Sequence, residues 1–93
     1  VKAVIRYTGV LRLLVRQGEE VWESYAEDVT LGDVLGSLSG KYGPEFAQEA
    51  RRGYVLILQR EGEPPLQVDP TKGTGLVLGN SSVLTFAYLF TGG

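Results

Sequence analysis

Gly92 and Gly93, the last two residues of the sequence, are the ones whose type and position could support chemistry. Glycine has no side chain, so a glycine pair can lie extended and enter a narrow channel in a partner protein. The carboxylate of Gly93 would then be the reactive group, with Thr91 as the residue before the pair. A glycine pair is also typical of a frayed chain end, so the tail alone leaves both interpretations open.

The segment 83–90, which leads into this tail, alternates as a strand does but is largely apolar on both faces. One face carries Leu84, Phe86, Tyr88 and Phe90, and the other carries Val83, Thr85, Ala87 and Leu89. A central strand explains part of this pattern. For the remainder we predict an exposed patch near the tail that docks a partner, formed by Phe86, Tyr88, Leu89 and Phe90.

Length and composition predict a single domain over residues 1–93, with a flexible C-terminal diglycine tail. Hydrophobic residues make up 43% of the chain and charged residues 22%, as in an ordinary globular protein. The formal net charge of -2 argues against direct binding of nucleic acid, which requires a basic surface. No signal peptide or bilayer-length apolar stretch is visible in the sequence, so we expect no membrane association and a cytoplasmic location.

The chain contains neither cysteine nor histidine. Cysteine nucleophiles, disulfide frameworks and cysteine-based metal sites are therefore excluded. The usual general base and the usual zinc ligand are missing as well. We accordingly expect no metal site and no bound cofactor.

The apolar spacing predicts an alternation of strands with one main helix. Residues 1–8 and 20–26 are predicted to form a hairpin, and 10–15 to be a loop or a short helical turn. Thr30 and Asp33 resemble a capping box that starts the main helix, and residues 43–44 end it. A second short helix is predicted from Pro44 through Arg51.

The rest of the chain is predicted to complete one sheet. Tyr54–Gln59 is almost continuously apolar and is predicted to be a covered strand, followed by a short edge strand at Leu66–Val68 and the final strand at 83–90. This order is typical of an α+β ubiquitin-like roll (the β-grasp), in which a mixed sheet packs on one main helix. Its first and last strands lie parallel at the centre.

Several short stretches also carry a family resemblance. They are Lys2-x-x-x-Arg6-Tyr7, the helix start from Thr30 to Leu38, the run 52–57, the turn 79–83 and the final Gly92-Gly93. Together they resemble the ubiquitin-like sulfur carriers, which include the small subunit of molybdopterin synthase, the thiamine-pathway carrier, and the ubiquitin-related modifiers of archaea and eukaryotes. The turn 79–82 lacks the acidic residues of the family, and Leu-Phe-Thr before the diglycine also departs from it.

The resemblance implies that the chain is a protein cosubstrate and not an enzyme. A separate activating enzyme would use ATP to adenylate the Gly93 carboxylate, and a sulfur nucleophile would then convert it to a thiocarboxylate. Gly92 and Thr91 would give the tail its reach. The implied partners are this activating enzyme and, beyond it, the large subunit of molybdopterin synthase, a tRNA-thiolation enzyme or lysines of target proteins.

Three functions remain open at the level of sequence. The first is a sulfur carrier or protein modifier that works through Gly93. The second is a non-catalytic binding module with a ubiquitin-like fold and an inert tail. The third is the small subunit of molybdopterin synthase, in permanent association with a larger catalytic subunit.

Overall fold

The computed structural model describes residues 1–79 and 81–88, which form a mixed sheet with helices packed on one face. The strands are β1 (Lys2–Arg6), β2 (Glu19–Glu23), β3 (Tyr54–Gln59), β4 (Leu66–Val68) and β5 (Ser82–Tyr88). The helices are α1 (Gly9–Val15), α2 (Leu31–Tyr42) and α3 (Pro44–Ala50).

The strand order β2-β1-β5-β3-β4 places β5 at the centre of the sheet. β5 runs parallel to β1, with Val4 opposite Val83, and antiparallel to β3, with Tyr54 opposite Tyr88. The hairpin of β1 and β2 is antiparallel, as is the pair β3 and β4. The predicted α+β roll, with its first and last strands parallel at the centre, is confirmed.

One predicted strand differs from the structure, and the segment 10–15, predicted as a loop or a short helical turn, is helical. The second strand ends at Glu23, short of the predicted 26, and the Tyr25 side chain is fully exposed. Residues 10–15 belong to α1, which buries Leu11 and Val15. Those two side chains lie four residues apart on one helical face, so packing stabilises a helix that is too short to form alone.

The core fills the space between the sheet and the helices. β1 contributes Ala3, Ile5 and the neighbouring Tyr7, whose ring stacks on Phe86 at 5.7 Å between centroids. Phe46 of α3 meets Phe86 edge to face at 5.8 Å. This aromatic packing fixes β5 to both its neighbouring strand and the helical layer, because such pairs add to the effect of burial.

The predicted cap of α2 is confirmed. The Asp33 N–H donates to Thr30 Oγ1 at 3.2 Å, and the Thr30 N–H donates to Asp33 Oδ2 at 3.0 Å. Two further N–H groups of the first turn, those of Leu31 and Gly32, donate to carbonyls of the segment 69–79. That segment therefore closes the helix start in addition to connecting β4 to β5.

Candidate functional site

The candidate site is the end of β5, the last described element before the final residues of the sequence. Tyr88 is the last residue of the strand, and its side chain is 53% exposed. Its ring packs edge to face against Tyr54 at 5.2 Å between centroids. β5 pairs with β1 as far as Thr85 and with β3 as far as Tyr88, so its last residues are held in the sheet by β3.

A short chain of hydrogen bonds fixes this base. Thr8 Oγ1 donates to the Phe86 carbonyl at 2.7 Å. The Tyr54 hydroxyl donates to the Thr8 carbonyl at 3.2 Å and accepts from the Leu11 N–H at 3.3 Å. Thr8 and the start of α1 are thereby tied to the last residues of β5, which lie almost eighty positions later in the sequence.

Gly9 is required at this junction by both conformation and space. Its φ of +60° lies in the left-handed region that glycine adopts most readily. A Cβ atom at position 9 would lie 2.7 Å from the Tyr54 hydroxyl oxygen and 3.8 Å from Tyr88 Cβ. The backbone of Gly9 therefore approaches the Tyr54 hydroxyl more closely than a side chain would permit, whereas a Cβ would make only an ordinary contact with Tyr88.

The predicted site residues divide into three groups. Leu89, Phe90, Thr91, Gly92 and Gly93 lie outside the described residues. Tyr88, the last described residue before the tail in sequence, is exposed, so a partner could contact it. The prediction that Phe86 docks a partner is wrong, because its side chain is fully buried between Tyr7 and Phe46 and contributes to the core instead.

The outer face of the sheet is an apolar surface that the site prediction missed. Val4 pairs with both Val21 and Val83 across three adjacent strands, and Val21 is 56% exposed. Ile57 and Ala87, both half-buried, extend the same face towards the end of β5. The apolar residues on both faces of the segment 83–90 were the sequence signal for this surface. The prediction interpreted them as a docking patch near the tail.

Glu20 lies on β2, an edge strand of the sheet, and forms the centre of a polar cluster. Its Oε1 accepts from the Tyr7 hydroxyl at 2.7 Å, while Oε2 accepts from the Tyr42 hydroxyl, from Gln17 at 2.6 Å and from Lys41 at 3.3 Å. Desolvation raises the pKa of Glu20, but the hydrogen bonds from Tyr42, Tyr7 and Lys41 outweigh it and lower the pKa overall. The cluster joins β2 to the end of α2.

Burial, and then the hydrogen bond to Glu20, raise the pKa of Tyr7 far above its usual range. Tyr7 therefore remains protonated and donates to Glu20 throughout the pH range of ordinary solutions. A phenol held in this state is a structural donor, because it keeps its proton near neutral pH and cannot act there as a general acid or base.

Residues 1–79 and 81–88 contain no group of three or more acidic, cysteine or histidine side chains that could hold a metal ion. In the same residues, no helix has the length and apolar character needed to cross a membrane.

Comparison with solved structures identifies the class of fold. SAMP1 from Haloferax volcanii superposes with a TM-score of 0.70 at 16% identity, over 100% of both chains. A putative molybdopterin converting factor subunit 1 from Pyrococcus furiosus gives 0.72 at 15% identity, covering 97% of this chain and 99% of that one. Urm1 from Trypanosoma brucei gives a TM-score of 0.70 at 16% identity, covering 99% of this chain and 95% of that one.

The chain therefore has the ubiquitin-like β-grasp fold. Its structural neighbours are ubiquitin-like sulfur carriers and modifiers, which are small carrier proteins rather than catalysts. No protein-family model matches the sequence, and no curated protein matches it either. At these identities the likeness shows the fold, and the function has to be argued from the chain itself.

Proposed function

We propose that this protein is a ubiquitin-like carrier or modifier whose reactive group is the C-terminal carboxylate of Gly93. The observation that carries the proposal is the position of β5. A strand held on both sides by hydrogen bonds leads directly into a sequence that ends in two glycines. Tyr88 is paired with Tyr54 of β3, and the last two residues of the sequence carry no side chain near the carboxylate.

The chemistry of such a carrier is a two-step activation. A carboxylate oxygen of Gly93 attacks the α-phosphorus of ATP held by an activating enzyme, and pyrophosphate leaves. The acyl-adenylate then has a good leaving group, so a sulfur nucleophile attacks the carbonyl carbon and AMP departs. When the sulfur carries no further substituent, the product is a C-terminal thiocarboxylate. Attack by a lysine amine on the activated carbonyl would instead give an amide bond to a target protein.

The composition fits a cosubstrate. The chain has no cysteine that could form a thioester and no histidine that could serve as a general base. The activating enzyme would supply the ATP site and the catalytic groups, and this chain would supply the carboxylate. Thr91 and Gly92 would span the distance between the exposed Tyr88 and the active site of that enzyme.

A second candidate is supported by the likeness to a molybdopterin converting factor subunit from Pyrococcus furiosus. In this case the chain would be the small subunit of a synthase and would deliver its sulfur to a cofactor precursor. Stable co-purification with a larger catalytic subunit would favour it over a carrier that dissociates after activation. Delivery to a tRNA-thiolation enzyme is a further route for the same thiocarboxylate.

Deletion of Gly93 tests the proposal directly. With the cognate activating enzyme and ATP, the intact chain should stimulate pyrophosphate release, and the chain without Gly93 should not. The described strands and core lie within residues 1–88 and do not include Gly93, so we expect the deletion to leave the unfolding midpoint unchanged. Equal stimulation by both chains would overturn the proposal, and unchanged partner binding without any adenylation would favour an inert binding module.

A further inference from the structure

The outward face of α1 is apolar, which is unusual for a short surface helix. Leu11 and Val15 face the core, so a spacing of 3.6 residues per turn turns Leu13 directly outward. Leu13 is 75% exposed, and Val10 beside it is 45% exposed. An exposed apolar strip of this kind marks an interaction surface more often than an accident of folding.

Arginines flank this strip on both sides. Helical spacing puts Arg12 on the side of Leu13 opposite Val10, and Arg16 is the left-handed C-cap residue that follows α1. On the other side, a groove of about 530 Å³ between α1 and α3 is lined by Val10 and Leu14 together with Arg51 and Arg52. Glu45 and Glu49 also line this groove.

These arginines carry charge that the described part of the chain leaves without an ion pair. In residues 1–79 and 81–88, salt bridges involve Lys2, Arg6, Lys41 and Arg60. None is formed by Arg12, Arg16, Arg51 or Arg52 in that part of the chain, although the protein as a whole is acidic. Glu45 and Glu49 offset part of this charge in the groove, but four arginines against two glutamates leave the surface net positive, which favours a partner surface with the opposite charge.

The strip adjoins the base of the tail. Gly9, the first residue of α1, approaches Tyr88 so closely that a Cβ there would lie 3.8 Å from Tyr88 Cβ. Tyr54 pairs with Tyr88, which places the turn containing Arg51 and Arg52 alongside the end of β5. A partner that holds the tail would therefore meet α1 and these arginines at the same time.

We propose that this surface docks an acidic segment with an apolar centre on the enzyme that activates the tail. Leu13 and Val10 would contact the apolar centre, and the arginines on both sides would pair with its carboxylates. The inference rests on the proposed function for the identity of the partner. It assigns docking to α1 and the end of α3, separate from the outer face of the sheet.

Steady-state adenylation kinetics with the cognate activating enzyme test the assignment. Leu13→Ser and Arg52→Glu should each raise KM about ten-fold and leave kcat within about two-fold, because they weaken docking without altering the reacting group. Leu66→Ser, at an exposed leucine of β4, and Lys72→Glu, with the same charge change as Arg52→Glu, are the controls and should leave KM unchanged. Added salt should raise the KM of the original chain towards that of Arg52→Glu.

Two comparisons separate failure of this inference from failure of the proposed function. If the original chain is adenylated but both variants match the controls, the docking assignment is overturned and the carrier function stands. If the original chain binds the enzyme without being adenylated, amide chemical-shift mapping of the complex decides the surface. Shifts confined to the sheet face around Val4 and Val21, or no binding at all, would overturn the assignment.

Discussion

Glu20 is held by hydrogen bonds from four side chains, and its side chain is 9% exposed. These bonds lower its pKa below that of an unfolded glutamate, despite the opposing effect of desolvation. A group with a lowered folded pKa contributes stability that is fully present above its unfolded pKa. That contribution is lost as the pH falls through the folded pKa.

We therefore expect Glu20→Gln to lower the free energy of unfolding by about 1–3 kcal/mol at pH 7, since it removes charge-assisted hydrogen bonds. The difference from the original chain should shrink as the pH falls below about 4.3, the usual pKa of an unfolded glutamate. Urea unfolding at several pH values between neutral and acidic measures this difference in the free energy of unfolding. Glu19→Gln is the matched control and should cost less than about 1 kcal/mol, because its pair with Arg6 is exposed. A difference that stays constant with pH would contradict the role assigned to Glu20.

Gly9 and Gly36 give opposite expectations for the same substitution. Gly9→Ala should destabilise the chain by about 1–3 kcal/mol, because alanine at this φ is strained and its Cβ would displace the Tyr54 hydroxyl. Gly36→Ala should stabilise it by about 0.5–1 kcal/mol, since Gly36 lies within α2 and its built Cβ meets nothing within 4 Å. Denaturant unfolding of both variants tests the pair, and a neutral Gly9→Ala would show that the junction at the base of the tail tolerates a side chain.

At the residue scale, the sequence was sufficient for local features and insufficient for long-range ones. The capping box of Thr30 and Asp33 was predictable because its two residues lie three positions apart. The contacts of Tyr54 with Thr8 and Leu11 join residues more than forty positions apart, and no local pattern signals them. Phe86 was misassigned for a related reason, since alternation shows that a strand has two faces but does not show which of them is covered.

At the element scale, the strands with strong apolar patterns were predicted within a residue or two. Tyr54–Gln59 and Leu66–Val68 match the predicted bounds. Helix α1 was left undecided between a loop and a helical turn, because seven residues give too short a period and its stability depends on packing of Leu11 and Val15. The end of β2 at Glu23 was also missed, because the alternating pattern of the sequence continues to residue 26.

The cap of α2 yields a prediction for the whole helix. Thr30→Ala should lower the free energy of unfolding by about 1 kcal/mol, because the Asp33 N–H loses its side-chain acceptor. We expect the loss of stability to be no larger than this, because the N–H groups of Leu31 and Gly32 still donate to carbonyls of the segment 69–79. Thr85→Ala, a half-buried threonine on the outer face of β5, provides a comparison outside any cap. Amide exchange should become faster in the first turn of α2 in Thr30→Ala and not in Thr85→Ala, and protection unchanged in both would contradict the role of the cap.

At the scale of the whole molecule, the fold leaves two apolar surfaces on elements that surround β5, one beside the start of the strand and one beside its end. The outer sheet face includes Val4 and Val21, and the α1 strip includes Leu13. Both lie on elements that neighbour β5 or its end, so a partner could recognise the body and receive the tail in one event. This arrangement is consistent with a protein that presents a carboxylate to another enzyme and leaves the catalytic groups to that enzyme.

The intact mass of the chain after incubation with its activating enzyme, ATP and a sulfur donor tests this account most directly. Before the reaction, we expect the mass of a chain whose last residue is Gly93. After the reaction, we expect this mass to increase by the difference between one sulfur and one oxygen atom. Fragmentation should place the sulfur on Gly93. An unchanged mass, with the same enzyme active on another carrier, would contradict the account and leave a ubiquitin-like binding module in its place.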